Sequence, residues 1–366
     1  MKIEVLKTDL SKAIKSLSRI AKNKNIPILQ HVLLDASVET QKLTMTASNL
    51  DLQIAISLQC QVTEPGQCTI NAKELSCRFK ETLFTTIRIE STEDKIIVVH
   101  GTSLFHPDGL TPSEFPLLQF NKSLHCYKIK ESALKEMLTL ANCATCVDST
   151  RMSILGILLK PKNNELHAVA TDGKRLAIVK RELLGMNAEM PQVTIPNHVV
   201  KELIHLLKDT PNIVEVNILE DKVSFEWNNI RLIARPLYSA YPNYEQVIPD
   251  SFTYAKILLD RLQLKGMIKR LCPNVKKETH VKLTLTENLL MLSTAESEAS
   301  ETMVIDYPKR RTTETGFNPK FLLEPLEVLE TEMIKLELDD RHTEGMSPAI
   351  IKTVWFEYIV MPVRMS

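Results

Sequence analysis

The chain contains very little glycine. Its 366 residues include only nine glycines, where an average usage of roughly 7% would give about 26. No two of the nine lie closer together than eight residues, so the sequence contains no GxGxxG, GxxxxGK or GxSxG motif. The commonest nucleotide-binding signatures and the nucleophile elbow of hydrolases are therefore excluded.

The chain also has no net charge and no long apolar run. Lysine and arginine together number 45, as do aspartate and glutamate, so any nucleic-acid surface must come from local segregation of charge. No apolar run approaches the ~18 residues of a membrane span, and no membrane partner is expected. The seven cysteines are an odd number without a framework spacing. Together with a start on a strand and no leader, they predict a location in the reduced cytoplasm.

The residue types of common catalytic and metal sites are present but not in working patterns. Cys143 and Cys146 form a CxxC pair, but a zinc site needs a second pair and a redox site needs a thioredoxin-like context. His198 and His205 lie seven residues apart without an HExxH frame. The sequence therefore predicts no catalytic residue, no metal and no cofactor. A repeat-built enzyme with a site between domains remains an alternative.

One unit of strands and helices recurs three times. Its first helix carries apolar residues at i, i+3, i+4 and i+7, the pattern of a core-facing stripe. The stripes are Leu10, Ala13, Ile14 and Leu17, then Leu134, Met137, Leu138 and Ala141, then Leu264, Met267, Ile268 and Leu271. Each unit holds a second helix, and the segments between helices alternate with period two, as half-buried strands do.

The repeat is about 122 residues long, one third of the 366-residue chain. It predicts an α+β fold of three tandem similar domains, each with two helices packed on antiparallel sheets. The expected domains are residues 1–121, 125–246 and 247–366, because segments that contain proline separate them.

Three separate segments are suited to form one site. Residues 168–180 (AVATDGKRLAIVK) predict a β-hairpin, because Asp172-Gly173 supplies the positive φ angles of a tight turn. The other two segments are Tyr241-Pro242 and the last eight residues, IVMPVRMS. The matching hairpins of the other two repeats lack the Gly-Lys-Arg-Leu run, so only one hairpin is specialised. In order and spacing these segments closely resemble the bacterial DNA polymerase III β-subunit family of sliding clamps, and the resemblance covers the whole chain.

The resemblance implies a nonenzymatic processivity factor. In that family two subunits of three domains join head to tail into a six-domain ring that encircles double-stranded DNA. The implied partners are DNA, without sequence specificity, replicative and repair DNA polymerases, the clamp loader and a second copy of the chain.

The resemblance also assigns a partner-peptide pocket. Its apolar members can accept aliphatic and aromatic side chains of an extended peptide, and its arginines can meet a carboxylate or a carbonyl at the rim. The implied pocket residues are Ile154, Thr171, Gly173, Lys174, Arg175, Leu176, Pro242, Val247, Val360, Met361, Pro362, Val363 and Arg364.

Basic residues recur on the predicted helices, away from the apolar stripes. Phosphate contacts of this kind carry no sequence information, which permits sliding along DNA. The expected DNA-facing residues are Lys12, Lys15, Arg19 and Lys22 on the first helix, Lys24 after it, then Lys73, Arg78, Lys80, Lys201, His205, Lys208, Lys265 and Lys269, with Arg151 added by the resemblance. The last helix is acidic instead, with Glu324, Glu327 and Glu330, and we expect a kink at its Pro325.

The resemblance implies a subunit seam with Phe105 on one side and Leu271 with Cys272 on the other. Pro107 follows where the family continues a strand, and proline removes a donor from the ladder. An alternative is a divergent clamp paralogue that binds partners but closes weakly. It is motivated by Pro107, by the acidic last helix and by Gln246, where the family often has arginine.

Overall fold

The structure divides into two compact units. It is a computed structural model that describes residues 1–79, 85–92, 95–119, 125–186, 191–219, 221–250, 254–273, 279–294, 299–307, 312–339 and 347–364. Unit 1 comprises residues 1–131, 184–189 and 210–236, and unit 2 comprises residues 132–183, 190–209 and 237–366.

The described chain contains six α-helices and 26 strands. The helices are α1 (Lys7–Leu17), α2 (Ala72–Phe79), α3 (Glu131–Asn142), α4 (Asn197–Leu206), α5 (Arg261–Leu271) and α6 (Pro319–Val328). The strands are β1 (Lys2–Leu6), β2 (His31–Ser37), β3 (Lys42–Ser48), β4 (Leu52–Gln59), β5 (Gln61–Glu64), β6 (Gly66–Asn71), β7 (Thr86–Ser91), β8 (Ile96–His100), β9 (Ser103–Phe105), β10 (His125–Lys130), β11 (Gly156–Lys162), β12 (Glu165–Thr171), β13 (Arg175–Glu182), β14 (Gly185–Met186), β15 (Val193–Pro196), β16 (Ile213–Ile218), β17 (Val223–Trp227), β18 (Ile230–Ala234), β19 (Ala255–Asp260), β20 (Val281–Thr286), β21 (Leu289–Thr294), β22 (Ser300–Val304), β23 (Thr313–Phe317), β24 (Met333–Leu338), β25 (Ala349–Lys352) and β26 (Phe356–Val360).

Antiparallel sheets carry the fold. In the described part of unit 1, a five-stranded sheet has the order β5-β1-β7-β8-β9, and a nine-stranded sheet has the order β14-β10-β16-β17-β18-β4-β3-β2-β6. In that of unit 2, an eight-stranded sheet has the order β15-β11-β12-β13-β26-β25-β24-β19, and a four-stranded sheet has the order β22-β21-β20-β23.

The predicted apolar stripes form the buried faces of α1, α3 and α5. All twelve stripe residues are at most 9% exposed, and burial of each large apolar side chain stabilises the fold by about 1.5–3 kcal/mol. Side chains also cap three of the described helices. Asn71 accepts hydrogen bonds from the N–H groups of Lys73 and Glu74 at 3.0 and 3.2 Å at the start of α2. Asp260 accepts a hydrogen bond from the N–H of Gln263 at 2.7 Å before α5, and Asn318 accepts one from the N–H of Lys320 at 2.9 Å before α6.

The compact units do not coincide with the predicted repeats. Strands of neighbouring repeats pair edge to edge, with Leu232 of β18 opposite Ile54 of β4 and Leu176 of β13 opposite Ile359 of β26. Each such pair joins halves of two repeats into one continuous sheet. Contacts across repeats therefore define the units, while the three copies remain visible in the order of elements.

Pro325 lies inside α6 without interrupting it. Proline has no N–H to donate to the carbonyl four residues earlier, which here belongs to Phe321. The hydroxyl of Tyr358 donates to that carbonyl at 2.8 Å instead. The helix continues to Val328, with a side chain in place of the missing donor. The kink expected at Pro325 stays a prediction. Among the described residues, no helix is long and apolar enough to cross a membrane.

A substitution at Gly156 tests the contact between β11 and β15. A Cβ atom there would lie 2.2 Å from the carbonyl oxygen of Ile195, so Gly156→Ala must force the two strands apart. We expect a loss of about 2 kcal/mol, seen in calorimetry as a melting temperature lower by roughly 4–8 °C. The matched control is Gly185→Ala, because a Cβ at Gly185 has no neighbour within 4 Å. Equal melting temperatures for the two variants would contradict the close approach.

Candidate functional site

The hairpin between β12 and β13 ends in a turn held by its own side chains. The last ladder pair is Thr171 with Leu176, so four residues form the turn and not the two that Asp172-Gly173 predicted. The hydroxyl of Thr171 donates to the carbonyl of Arg175 at 2.6 Å and accepts from the N–H of Gly173 at 3.1 Å. Asp172 accepts from the N–H groups of Lys174 and Arg175 at 2.9 and 3.2 Å. Gly173 alone has a positive φ in this turn, +86°.

The C-terminal tail continues along this hairpin. Val360, the last residue of β26, pairs with Arg175, and the N–H of Met361 then donates to the carbonyl of Lys174 at 2.9 Å. Two residues later the N–H of Val363 donates to Gly316 of β23, also at 2.9 Å. The tail is therefore held by backbone hydrogen bonds on both sides, as the predicted association of hairpin and tail requires.

Two predicted pocket residues, Ile154 and Leu176, form an apolar floor. Both are buried in one cluster with residues of β11, β12, β13, β25 and β26. Its other members are Cys146, Leu158, Val169, Ile178, Tyr241, Tyr244, Tyr254, Ile350 and Ile359, with the partly buried Ile248 packed against it. Burial raises the pKa of Tyr244 to about 12, so its hydroxyl stays protonated. The floor is apolar, which suits aliphatic or aromatic side chains.

Most of the other predicted pocket residues lie at the surface of the same region. Pro242, Val247, Met361 and Arg364 are exposed, as is Lys174, whereas Pro362 and Val363 are partly buried and Val360 is fully buried. Val247 belongs to a 3₁₀ turn, Tyr244–Val247. That turn is tied to β11, because Glu245 accepts from Lys160 and Lys162 at 3.0 and 3.2 Å. These hydrogen bonds hold the pKa of Glu245 below its usual range.

Arg175 does not lie at the rim, so our expectation that it meets a partner's carboxylate there is wrong. Its side chain is only 8% exposed. The guanidinium donates to Asp172 at 3.0 Å, forms an ion pair with Glu324 of α6 and lies 4.5 Å from the centre of the Phe321 ring. A buried charge must be paired, and carboxylates of the chain itself already pair with the guanidinium of Arg175.

Arg151, expected to face DNA, is also engaged by the hairpin. It is exposed, and its Nη1 donates to the carbonyl of Asp172 at 3.0 Å. A Cβ on Gly173 would lie 2.9 Å from the same nitrogen. Arg151 thus supports the turn from outside, and glycine at position 173 leaves room for it.

The predicted basic row of unit 1 does not follow a single helical face. Lys12 and Lys15 are exposed on α1, but the helix ends at Leu17. The other members, Arg19, Lys22 and Lys24, therefore lie in the turns and loop that follow, with Arg19 partly buried and the two lysines exposed.

The second basic group of unit 1 lies on α2. Lys73 is exposed, while the guanidinium of Arg78 donates to Glu74 at 2.9 Å and lies 4.5 Å from the centre of the Phe105 ring. The predicted Lys80 lies outside the described residues.

Unit 2 presents its predicted basic residues on α4 and α5. Lys201 and His205 are exposed on α4, and Lys208 is exposed just beyond the end of that helix. On α5, Lys265 is partly buried, whereas Lys269 is exposed and pairs with Glu327 of α6 at 2.6 Å.

Two of the three acids predicted on the last helix pair within the chain, whereas Glu330 lies exposed beyond the end of α6 at Val328. Glu324 pairs with Arg175, and Glu327 pairs with Lys269, whose hydrogen bond lowers the pKa of Glu327. Counting the acids of α6 from the sequence therefore overstates the negative charge that this helix shows to solvent.

The three predicted seam residues are buried inside their own units. Phe105 ends β9 and lies against the ring of His100, 5.9 Å away, while Leu271 and Cys272 are buried at the end of α5. Neighbouring apolar side chains are exposed instead: Leu104 on β9 is 58% exposed, and Val304 on β22 is 82% exposed. β9 ends at Phe105, two residues before Pro107, and the shortened seam expected from this proline stays a prediction.

Comparison with known families covers almost the whole chain. Three family models of the DNA polymerase III beta subunit match in order: the N-terminal domain at residues 1–119, the central domain at 128–243 and the C-terminal domain at 245–364.

The chain belongs to the DNA polymerase III β-subunit family.

Individual relatives carry the same family name. The chain is 28% identical to the "Beta sliding clamp" of Synechococcus elongatus, and the match covers 100% of both proteins. A DNA polymerase sliding clamp from Bacillus subtilis has a TM-score of 0.91 at 25% identity, and a sliding clamp from Pseudomonas aeruginosa bound to griselimycin has a TM-score of 0.92 at 24% identity. Both structural matches cover 100% of each chain. The fold is thus the three-domain clamp fold, and these matches support the function of a DNA sliding clamp.

Several residues of the clamp's candidate pocket were missing from the sequence prediction. Tyr244 belongs to the floor, and its place in the Tyr-Pro-x-Tyr segment was a usable signal. Glu324, Phe321 and Tyr358 surround Arg175. Nothing in the local sequence marks them, because Phe321 and Glu324 lie 146 and 149 residues from Arg175 along the chain and Tyr358 lies 183 residues away.

The CxxC pair of the clamp lies beside the pocket floor. Cys146 is buried in the pocket floor, and burial raises the pKa of the Cys143 thiol to about 12. Reactive cysteines have lowered pKa values. Among the described residues, no group of three or more His, Cys, Asp and Glu is placed to hold a metal ion.

Alkylation of the native protein tests this assignment. At pH 8 a thiol of pKa about 12 is ionised in about one molecule in ten thousand, so iodoacetamide should leave Cys143 and Cys68 unmodified. The exposed Cys77 should react and serves as the internal control in peptide mapping by mass spectrometry. Modification of Cys143 as fast as Cys77 would instead indicate a reactive CxxC.

Proposed function

We propose that two copies of this chain close head to tail into a ring around double-stranded DNA. The ring tethers replicative and repair DNA polymerases and the clamp loader to the template, performs no catalysis itself and acts in the cytoplasm. The ranges of the three family models support a division into domains at residues 1–121, 125–246 and 247–366.

The observation that carries the proposal is the single specialised hairpin. Its turn is fixed by Thr171 and Asp172, its strand contributes Leu176 to an apolar floor, and the C-terminal tail runs beside it. This arrangement provides an apolar surface with exposed Val247 and Met361 at its margin and two exposed cations, Lys174 and Arg364. Such a surface fits an extended peptide with apolar side chains.

DNA contact is the second element of the proposal. The exposed cations of α1 and α4 are suited to transient phosphate contacts, because contacts of basic side chains with phosphates carry no sequence information. The neutral net charge of the chain favours weak, salt-dependent contact over tight binding. We propose that Lys12, Lys15 and Lys201 contribute such contacts, and that Arg151 contributes little because it is bonded to the hairpin.

Two sheet edges formed by described strands support the ring. Within the described sheets, β9 is the last strand of one and β22 the last strand of another. The opposite edge of the second sheet, β23, already receives Val363 of the tail. We propose that β9 of one copy pairs with β22 of the other, with Leu104 and Val304 covered at the seam. Because β9 has only three residues, the pairing is short, which favours the weakly closing paralogue as the second candidate.

Peptide binding is tested with surface variants of the pocket. Val247→Ala removes two methyl groups that a bound peptide would cover, so the affinity for a fluorescein-labelled clamp-binding peptide of a bacterial replicative polymerase should fall about tenfold in fluorescence anisotropy. The control is Val354→Ala, since Val354 is 84% exposed in the same unit, against 59% for Val247. Equal loss in both variants, or no loss at Val247, would refute the pocket.

Ring closure is tested by light scattering over a dilution series. A closed ring has a mass of about 83 kDa, twice the 41.6 kDa of the chain. Leu104→Asp should shift the mass toward the monomer at concentrations where the natural protein is dimeric, because it places a charge in an apolar seam. Leu50→Asp is the control on another exposed leucine of unit 1. A monomer at every concentration would remove the ring and favour the paralogue.

A further inference from the structure

Arg175 is an unusual cation in this chain. Among the described residues it is the only lysine or arginine that is buried. Removing a cation from water costs several kcal/mol unless charges and hydrogen bonds replace the hydration. The fold therefore has to provide partners for this guanidinium, and those partners identify what the residue does.

The partners come from three different elements. Asp172 belongs to the hairpin turn and accepts from Nε at 3.0 Å. Glu324 belongs to α6 and forms an ion pair with Nη1, which also lies 3.4 Å from the hydroxyl of Tyr358 on β26. The ring of Phe321, also on α6, covers one face of the guanidinium at 4.5 Å. A single side chain thus joins the hairpin to the last helix and the last strand.

Pro325 contributes to this junction through the backbone. Because proline lacks an N–H, the carbonyl of Phe321 has no donor within the helix, and the hydroxyl of Tyr358 donates to it at 2.8 Å. Since that hydroxyl gives its proton to Phe321, its lone pairs remain available to the N–H of Arg175. The proline thereby sets the direction of the hydrogen bonds that reach Arg175.

Arg175 also lies between the two parts of the pocket. The next residue, Leu176, belongs to the floor. The carbonyl of the preceding residue, Lys174, accepts a hydrogen bond from the N–H of Met361 in the tail. A change in the position of Arg175 therefore displaces floor and tail together. With its donors directed at Asp172 and Glu324 and one face against Phe321, the side chain cannot turn to a peptide without breaking both of these ion pairs.

We propose that Arg175 is a positioning residue of the partner pocket and not a contact residue. With Glu324, Phe321 and Tyr358 it holds the hairpin turn against α6, and it acts on partner affinity only through that placement. This inference rests on the proposed function, because the measured quantity is the affinity of the same pocket.

The test is a substitution at the far partner. Glu324→Gln keeps the volume of the side chain but removes its charge, and Glu324 lies on α6, outside the predicted pocket. We expect the affinity for the labelled polymerase peptide to fall about tenfold, because breaking a buried charged pair displaces the turn. Glu324→Asp, which retains the charge, should restore most of the affinity. The matched control is Glu327→Gln on the same helix, whose partner Lys269 is exposed, and its affinity should equal that of the natural protein.

A double-mutant cycle separates the two roles of Arg175. If the inference holds, Arg175→Gln and Glu324→Gln each lower the affinity for the peptide. The double variant then binds the peptide no more weakly than whichever single variant has the lower affinity. The inference is overturned if Arg175→Gln lowers the affinity while Glu324→Gln binds the peptide as well as the natural protein does, because the arginine would then contact the peptide directly. If the Glu324→Gln variant does not fold, Tyr358→Phe replaces it in the test, and we expect that substitution to weaken peptide binding about threefold. Failure of the natural protein to bind the peptide would instead refute the proposed function.

Discussion

The antiparallel pairing of β13 with β26 is the constraint on which the site depends. The two strands lie more than 170 residues apart in the sequence, and their ladder from Arg175–Val360 to Val179–Phe356 brings the hairpin and the C-terminal tail together. Because side chains alternate across a strand, the register decides which residues face the apolar floor. A slip of one residue would place Arg175 in the floor and Leu176 against α6, so the pocket and its support exist in only one register.

The apolar and the charged residues of the site lie on opposite faces of β13. On one face Leu176 and Ile178 join an apolar cluster, and on the other Arg175 meets carboxylates of the turn and of α6. The proposed function requires several partners to bind at one place, and an apolar floor supported by a charged junction suits that requirement, because little ordering remains to be done when a peptide binds.

Much of the fold could be predicted from the sequence. The stripe of Leu10, Ala13, Ile14 and Leu17 and its two repeats predicted buried helix faces correctly, because helical periodicity is a local signal. The turn at Asp172-Gly173 was predicted with the wrong length, since the side chain of Thr171 takes the place of ladder hydrogen bonds and no dipeptide rule records this. The basic row was assigned to one helix because no Gly or Pro marks its end at Leu17.

The errors in the site have a common physical origin. Arg175 was placed at the rim because an isolated arginine prefers water, and its burial becomes favourable only through Glu324 and Tyr358, which are remote in sequence. In the same way, Lys269 could not be paired with Glu327 from sequence alone. Long-range charge pairing thus decides which charged residues are available at the surface, and the family resemblance supplied the location of the pocket but not the state of its charges.

The hydrogen bonds of the turn leave one of its positions open to change. The side chains of Thr171 and Asp172 form hydrogen bonds within the turn, and Gly173 is required by its φ angle of +86°. Arg175 is fixed by its ion pairs. Lys174 takes part only through its backbone N–H and carbonyl, and its side chain is exposed. Evolution can therefore alter the side chain at position 174 at almost no cost in folding, which gives a lineage a direct route to new partner preferences through functional intermediates.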